Sequence, residues 1–309
     1  MILFASGRTD VPAFYAPWLV NRVHAGFVDV RNPYYSRHVT RYRLSPDMVD
    51  CFVFCTKNPA PMLPFLDNFK DFGVYFFVTI TPYGTDIEPN VPEKSAVMGA
   101  FAELSARLGR HRVCWRYDPI FVSVDYPVSA HLRAFRTMAE RLRGTTDRCI
   151  ISFIDLYEKT RRNFPDVQEV SAADQRFLAQ ALARIGAETG ISLETCAEEA
   201  DLSTFGVARG ACVSRAVVEA ATGVRLLPTL SKQTLRAQCA CLPTSDIASY
   251  NCCPHLCRYC YANYDAHLVA KNYARHDRES SFIIGGALPD DIVHEAKQES
   301  WRDRQLLLL

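Results

Sequence analysis

Short apolar runs, each followed by a polar cluster, recur through the first two thirds of the chain. The runs are rich in β-branched and aromatic residues and have the length of buried strands. Six of them are predicted to be strands, at residues 1–5, 49–54, 74–80, 112–117, 149–154 and 191–195. Between them the apolar spacing changes to that of helices, and this alternation is typical of βα units.

The helical stretches carry apolar residues at intervals of three and four. Val97, Phe101, Leu104 and Leu108 form one such stripe, and comparable stripes occupy residues 132–142 and 177–185. Six strands joined by helices predict a parallel sheet, most simply a partial (βα)6 TIM-like barrel of the α/β class.

We expect the barrel to span residues 1–200, including an excursion at residues 26–44. Beyond residue 200 the βα rhythm fades. Residues 201–309 are therefore expected to form a cysteine-rich segment that packs on the barrel and is not an independent domain. Within this segment a last strand is predicted at residues 281–286 and a helix from residue 289.

The excursion at residues 26–44 is predicted to be a β-hairpin. It interleaves basic and aromatic side chains: Arg31, Tyr34, Tyr35, Arg37, His38, Arg41, Tyr42 and Arg43. Such a mixture suits phosphate contact and base stacking. A solvated hairpin that covers one opening of the barrel fits the same pattern, because charged runs usually face water.

In barrels of this kind the functional site gathers where the strands end. Polar residues at these positions are the candidate site: Arg8, Asp10, Lys57, Asn58, Thr81, Arg116, Asp118, Ser152, Asp155 and Glu194. Taken one at a time, each also fits a helix cap or a salt bridge at the rim. Together they predict a polar cavity at the mouth of the barrel.

Three cysteines stand close together late in the chain, in the stretch Cys253-Pro-His-Leu-Cys257-Arg-Tyr-Cys260. Thiolates are soft ligands that suit zinc, copper(I) and iron–sulfur clusters. A set of three leaves one iron of a four-iron cluster without a protein ligand, so that iron is open for chemistry. A structural zinc site or a ferredoxin-type site is the alternative, although structural zinc sites more often combine two cysteine pairs or add histidines.

This Cys-x3-Cys-x2-Cys spacing, with Tyr259 before the last cysteine, resembles the signature of the radical S-adenosylmethionine superfamily. Over nearly its full length the chain is similar to a family of uncharacterised function allied to that superfamily, in stretches such as Trp115-Arg-Tyr-Asp-Pro119. The resemblance implies a [4Fe–4S] cluster on Cys253, Cys257 and Cys260 that binds S-adenosylmethionine. It also implies an electron donor such as flavodoxin or ferredoxin.

The chain departs from the superfamily pattern at two places. In typical members the cluster loop follows the first barrel strand, whereas here residues 6–10 hold no cysteine and the triplet comes after the sixth strand. A Gly-Gly-Glu sequence usually follows the second strand, and here Lys57 and Asn58 stand in its place.

The candidate residues divide into two groups if the resemblance holds. Arg8, Lys57 and Arg116 are expected to hold carboxylate or phosphate groups, since arginine offers a planar fork and lysine a point charge. Asp118 and Glu194 are expected to bind ribose hydroxyls or accept a proton. The catalytic candidates are Arg8, Asp10, Lys57, Asn58, Arg116, Asp118 and Asp155, and the cofactor-binding candidates are Tyr259, Thr81, Ser152 and Glu194.

A second set of thiols, Cys196, Cys212, Cys239 and Cys241, lies between the sixth strand and the triplet. Four thiols can close a zinc site or hold a second iron–sulfur cluster. Burial of Cys196 and Cys212 as ordinary apolar thiols is equally consistent with the sequence. Cys252, next to Cys253, is not expected to be a ligand of the triplet's cluster.

The composition limits the expected binding partners and the expected cellular location. The 309 residues are 49% hydrophobic and carry 35 basic and 34 acidic side chains, a net charge of +1 that offers no general attraction for nucleic acid or anionic membranes. Twelve cysteines favour metal binding or catalysis over disulfides in a reducing compartment. The first eight residues lack the pattern of a signal peptide, and no membrane span is expected, so a cytoplasmic location is predicted.

These observations predict a radical S-adenosylmethionine enzyme that acts on a small polar substrate. Two alternatives within metal binding remain, a non-catalytic zinc or iron–sulfur protein and a nucleic-acid lesion lyase served by the hairpin at residues 26–44. A hydrolase-like barrel with structural cysteines is a further possibility.

Overall fold

The structure is a computed structural model that describes residues 1–227 and 239–303. It is an α/β fold built on one large parallel sheet. The strands are β1 (Ile2–Phe4), β2 (Phe27–Arg31), β3 (His38–Arg43), β4 (Cys51–Thr56), β5 (Gly73–Thr79), β6 (Val113–Ile120), β7 (Arg148–Phe153), β8 (Ser192–Thr195), β9 (Ala208–Arg209), β10 (Ser245–Asp246) and β11 (Ile292–Glu295).

The helices cover the sheet and its ends. They are α1 (Val11–Phe14), α2 (Ala16–Ala25), α3 (Lys94–Leu108), α4 (Val128–Leu142), α5 (Glu158–Asn163), α6 (Ala172–Thr189), α7 (Arg215–Thr222) and α8 (Ala266–Tyr273). A long 3₁₀ helix, Ala60–Phe69, follows β4. Gly190 ends α6 in the left-handed conformation that its sequence position predicts.

The large sheet has eight parallel strands in the order β10-β1-β4-β5-β6-β7-β8-β9. Its six central strands are the six predicted from the sequence. The two strands that flank them are only two residues long and lie at opposite edges. The prediction of a TIM-like barrel is not confirmed, because in the described part of the chain the sheet is not closed.

Both faces of the sheet are buried, but by different parts of the chain. Residues that alternate along each strand, such as Phe52 and Phe54, join a large core with the helices before residue 200. Val53 and the other residues of the opposite face join a second core with α7 and Leu226. Burial on both faces explains why these strands appear in the sequence as uninterrupted apolar runs.

Helix α7 covers one face of the open sheet. It packs on β4 and β5 from the face that would be the interior of a barrel. Side chains from strands alone fill the inside of a closed barrel, whereas here a helix takes that position.

The excursion at residues 26–44 forms the predicted hairpin, with β2 antiparallel to β3. The strand expected at residues 281–286 is absent, and β11 instead pairs with β3 to complete a three-stranded sheet. The helix expected from residue 289 is also absent, while α8 was not predicted. Beyond residue 200 the chain contributes β9 and β10 to the large sheet. The predicted boundary at residue 200 stays a prediction.

No helix within residues 1–227 and 239–303 combines the length and the apolar character needed to cross a membrane.

Candidate functional site

A cavity of about 420 Å³ opens at the carboxyl ends of the central strands. The loop after β1 and the ends of β4, β5, β6, β7 and β8 form one side of it. The stretch of residues 253–262, here called the cysteine loop, forms the other side. Parallel strands bring residues far apart in sequence to one edge, which is why the predicted polar positions converge.

Cys253, Cys257 and Cys260 all line this cavity. Burial raises the pKa of Cys253 and Cys260, and it raises that of Cys257 to about 12, so the thiols are protonated at neutral pH in the protein alone. Leu256 adopts a φ of 56°, which is unusual for a residue other than glycine and turns the chain between the first two cysteines.

Hydrogen bonds fix the cysteine loop to the strand ends. His255 Nε2 lies 2.9 Å from Asp10 Oδ2, and the Tyr261 hydroxyl donates to the carbonyl of Gly7. Just before the loop in sequence, the carbonyl of Cys252 accepts a hydrogen bond from the Tyr15 hydroxyl at 2.5 Å. The loop therefore rests on the segment that follows β1, although some 240 residues separate the two in sequence.

Glu88 forms the second anchor of the cysteine loop and was not predicted from the sequence. Its buried carboxylate accepts hydrogen bonds from Lys57 Nζ at 2.8 Å and Thr81 Oγ1 at 2.7 Å, and also from Lys94 Nζ and the Tyr259 hydroxyl. The Lys57 ammonium additionally lies 5.4 Å from the centre of the Tyr259 ring. One carboxylate thus joins the ends of two strands to the cysteine loop.

The charges around Glu88 stabilise one another. Burial alone would raise the pKa of Glu88, but Lys57 and Lys94 outweigh it and lower the pKa to about 2. Burial likewise opposes the charge of Lys57, and Glu88 overcomes it and raises the pKa of the ammonium group. Both groups are therefore charged at neutral pH.

The loop after β1 supplies Arg8 and Asp10, as predicted. Asp10 accepts hydrogen bonds from the backbone N–H of Ala13 at 3.0 Å and of Lys57 at 2.7 Å, in addition to its contact with His255. Arg8 lies 3.6 Å from the carboxylate of Asp246 and donates to the carbonyl of Ala248. Asp10 is thus a junction of β1, β4 and the cysteine loop.

Strands β6 and β7 place Arg116, Asp118, Ser152 and Asp155 in the cavity wall. Arg116 Nε donates to Asp118 at 3.0 Å, and the Ser152 hydroxyl donates to the other oxygen of Asp118. Asp155 accepts a hydrogen bond from the Tyr157 hydroxyl at 2.9 Å. The three cations of the wall, Arg8, Lys57 and Arg116, each lie next to a carboxylate of the same chain.

Three predicted residues lie outside the residues that line the cavity. Asn58 uses its side chain to accept from the N–H of Ala60 at the start of the 3₁₀ helix. The Thr81 hydroxyl donates to Glu88, which in turn binds the cavity-lining residues Lys57 and Tyr259. Glu194 forms an ion pair of 2.6 Å with Arg148. Asn58 and Glu194 thus have structural partners away from the cavity.

The second set of thiols is brought together. Cys212 Sγ lies 2.7 Å from Cys196 Sγ and donates to it, and this contact lowers the pKa of Cys196. Cys241 Sγ accepts from the N–H of Val213, and the influence of Cys212 lowers the pKa of Cys241 to about 5. Cys196 and Cys239 line the cavity, whereas Cys212 and Cys241 are not among its lining residues.

Cys252 points away from the cysteine triplet. Its buried thiol donates to the carbonyl of Ser249 at 3.0 Å, and the residue does not line the cavity.

Two further carboxylates near the strand ends were not predicted. Burial raises the pKa of Glu198 to about 7, and its side chain accepts from the N–H of Phe153 at 2.9 Å. Burial also raises the pKa of Asp246, beside Arg8, to about 6. Neither residue ends an apolar run in the sequence, so the pattern that found the other candidates could not find them.

The described residues contain no group of three or more histidine, cysteine, aspartate or glutamate side chains arranged to hold a metal ion. A four-iron cluster differs from a single ion in this respect. Each thiolate binds a separate iron, so the sulfur atoms surround a larger body and stand further apart than the ligands of one ion.

Comparison with known proteins yields one match. No curated protein and no solved structure matches the chain. A family model described as a domain of unknown function, DUF1848, matches residues 2–262, which include every central strand and the whole cysteine triplet. The chain therefore belongs to the DUF1848 family.

Proposed function

We propose that this protein is a radical S-adenosylmethionine enzyme that modifies a small polar substrate. One observation carries the proposal. The three sulfurs of the Cys-x3-Cys-x2-Cys motif line the same cavity as the polar ends of the central strands. A metal cluster there would stand beside the groups that could bind its ligand and substrate.

The donor set has the chemistry that a [4Fe–4S] cluster requires. Cys253, Cys257 and Cys260 would supply three soft thiolates and leave one iron without a protein ligand. When bound, such a cluster supplies the electron for reductive cleavage of the sulfonium of S-adenosylmethionine. Lys57 lies near Cys257, so once that thiol is deprotonated to bind iron, the Lys57 ammonium would offset part of the cluster's negative charge.

The charges of the cavity favour a zwitterionic ligand. Three cationic and three acidic side chains line it among the described residues: Arg8, Lys57, Arg116, Asp10, Asp118 and Asp155. The cations are already beside carboxylates, so a polyanion would have to break these ion pairs. S-adenosylmethionine carries an ammonium, a carboxylate and a sulfonium, and a volume of about 420 Å³ lies within the roughly 300–1,000 Å³ of small-molecule pockets.

Two tyrosines of the cavity wall lie close together. Tyr157 and Tyr261 both line the cavity and remain partly exposed, with ring centres 6.0 Å apart. We assign them to shielding reactive species from water, a requirement that the protein must meet when a cofactor supplies the difficult chemistry. An external electron carrier such as flavodoxin or ferredoxin completes the proposal.

The hairpin at residues 26–44 gives little support to a nucleic-acid substrate. Arg31 lies 2.8 Å from Asp291, Arg41 lies 2.8 Å from Asp29, and the other two arginines also face carboxylates within 4.0 Å. An arginine that is already paired contributes less to phosphate binding. The lesion-lyase alternative therefore lacks a free basic surface on this hairpin.

The proposal is tested first by metal content. Protein purified without oxygen and reconstituted with iron and sulfide should bind about four irons per chain and be brown. Cys257→Ser should lower the bound iron sharply. Cys149→Ser, a change at a buried thiol in β7, is the matched control and should leave iron binding intact.

Two results would reject the proposal. One is a colourless protein that retains stoichiometric zinc through Cys253, Cys257 and Cys260, which would support a structural metal site. The other is equal iron binding by wild type and Cys257→Ser, since the triplet would then hold no cluster.

A further inference from the structure

Four thiols outside the cysteine loop lie at or just behind the cavity wall. Cys196 follows β8, and its sulfur lies 2.7 Å from that of Cys212. Cys241 accepts a hydrogen bond from the N–H of Val213, the residue after Cys212, and Cys239 lines the cavity together with Cys196. Three separate segments of the chain thus deliver their thiols to one place.

These thiols differ from the cysteines that fill the core. Cys51, Cys114 and Cys149 are fully buried within strands, and each donates to the backbone carbonyl of the residue that follows it. Such thiols behave as small apolar side chains. Cys196 and Cys212 instead contact each other, so their placement brings together two sulfurs that can react.

The two sulfurs are unequal in access. Cys196 lines the cavity and is partly exposed, whereas Cys212 is only 6% exposed and does not line it. A reagent in the cavity therefore meets Cys196 first. Arg116 Nη1 lies 3.9 Å from Cys212 Sγ. The neighbouring thiols and burial raise the pKa of Cys212, and this guanidinium offsets part of that rise.

We propose that Cys196 and Cys212 form a reversible dithiol–disulfide couple that reacts with low-molecular-weight disulfides entering the cavity. A disulfide bond measures about 2.05 Å, so the two sulfurs need only a small movement to join.

The exchange balances with the external disulfide as oxidant. The Cys196 thiolate attacks one sulfur of the disulfide, which releases one thiolate and leaves a mixed disulfide on Cys196. The Cys212 thiolate then attacks the Cys196 sulfur, which releases the second thiolate and forms the Cys196–Cys212 bond. The protein loses two electrons and two protons, and the external disulfide becomes two thiols.

Oxidised glutathione is a suitable probe. Reduced full-length protein is incubated with it under argon, free thiols are then alkylated, and peptides are identified by mass spectrometry. We expect a Cys196–Cys212 cross-link, two molecules of reduced glutathione released per cross-link, and reversal by dithiothreitol. Cys212→Ser should stop the reaction with glutathione attached to Cys196, and Cys196→Ser should abolish glutathione release at this pair. Cys149→Ala should react as wild type does.

Three results would overturn the couple. They are full alkylation of Cys196 and Cys212 after treatment with oxidised glutathione, a cross-link that uses other cysteines instead, and a metal bound by these thiols and released only by a mercurial. The couple does not depend on the proposed function. Repeating the experiment with Cys257→Ser separates the two, because the exchange should persist in a variant that lacks the triplet's cluster.

Discussion

The carboxylate of Glu88 is bound by side chains from separate parts of the chain. Lys57 follows β4, Lys94 begins α3 and Tyr259 belongs to the cysteine loop. No sequence pattern announces Glu88, since it lies in an irregular loop and ends no apolar run. Its role depends on three-dimensional contacts alone, which is why the sequence indicated Lys57 and Tyr259 as site residues but neither Glu88 nor Lys94.

Replacing Glu88 by glutamine should be costly. The change leaves Lys57 and Lys94 side by side without a counter-charge in a site where the carboxylate is only 1% exposed. Removing one partner of a buried ion pair lowers the free energy of unfolding by about 3–5 kcal/mol. Urea unfolding should show a loss of this order for Glu88→Gln and almost none for Glu93→Gln, an exposed carboxylate nearby. Equal stability of the two variants would contradict the anchoring role.

The ion pairs of Glu88 should also make the stability of the fold depend on pH. The pKa of Glu88 falls from an ordinary 4.5 to about 2 in the folded protein. A carboxyl group with a lowered pKa stabilises the fold above its unfolded pKa, and this stabilisation disappears as the pH falls through the folded value. Wild type should therefore lose about 3 kcal/mol between pH 4.5 and pH 2 that Glu88→Gln does not lose. Parallel pH profiles would contradict this assignment.

At the scale of elements, the central strands could be predicted and their arrangement could not. Burial on both faces makes β4, β5 and β7 uninterrupted apolar runs, so their positions appear in the sequence to within a few residues. Closure of the sheet depends on what fills its inner face. That element is α7, more than 100 residues beyond β5 and β4, and no local pattern links it to them.

Two buried aspartates lie at opposite ends of β4, and substituting each of them separates the effect of the cysteine loop from that of general stability. Asp10 joins the loop to the strand end, whereas buried Asp50, just before β4, pairs with Arg302 at 3.3 Å. Asp10→Asn replaces one acceptor oxygen with an NH2 donor. With that group at the Oδ2 position, the contacts with the N–H of Lys57 and with His255 are lost, at a cost of about 2–4 kcal/mol. Asp50→Asn should cost about 3–5 kcal/mol.

Iron binding distinguishes the two aspartate variants. Both should lower the midpoint of urea unfolding. Only Asp10→Asn should also weaken iron binding by reconstituted protein that is still folded, because only Asp10 contacts the cysteine loop. A comparable loss of iron in folded Asp50→Asn would show that iron content follows stability alone.

The hairpin of β2 and β3 should not bind single-stranded nucleic acid. Its arginines face carboxylates, and the whole chain has a net charge of +1. Fluorescence anisotropy with a labelled oligonucleotide should show no saturable binding at micromolar protein in about 50 mM salt, where phosphate contacts are strongest. Binding that weakens steeply as salt rises, and that Arg37→Ala and Arg43→Ala reduce, would revive the lesion-lyase alternative.

In the whole molecule, the cysteine triplet lies beside the first strand although it comes late in the sequence. The superfamily that the cysteine motif resembles places its cluster loop after the first strand, whereas this chain carries the triplet near its end. In space the cysteine loop still lies against residues 7–10, directly after β1. Sequence order alone could not predict this contact, because it depends on how the cysteine loop folds back onto the segment that follows β1.

The central claim is that the cysteine triplet holds a cluster with an open iron that cleaves S-adenosylmethionine. The most direct measurement is chromatography of the products after reconstituted protein is reduced with dithionite in the presence of S-adenosylmethionine, with Cys257→Ser in parallel. The account predicts cleavage of a carbon–sulfur bond by the wild type, most simply to methionine and 5′-deoxyadenosine, and none by the variant. Intact S-adenosylmethionine after incubation with wild-type protein that contains a reduced four-iron cluster would contradict it.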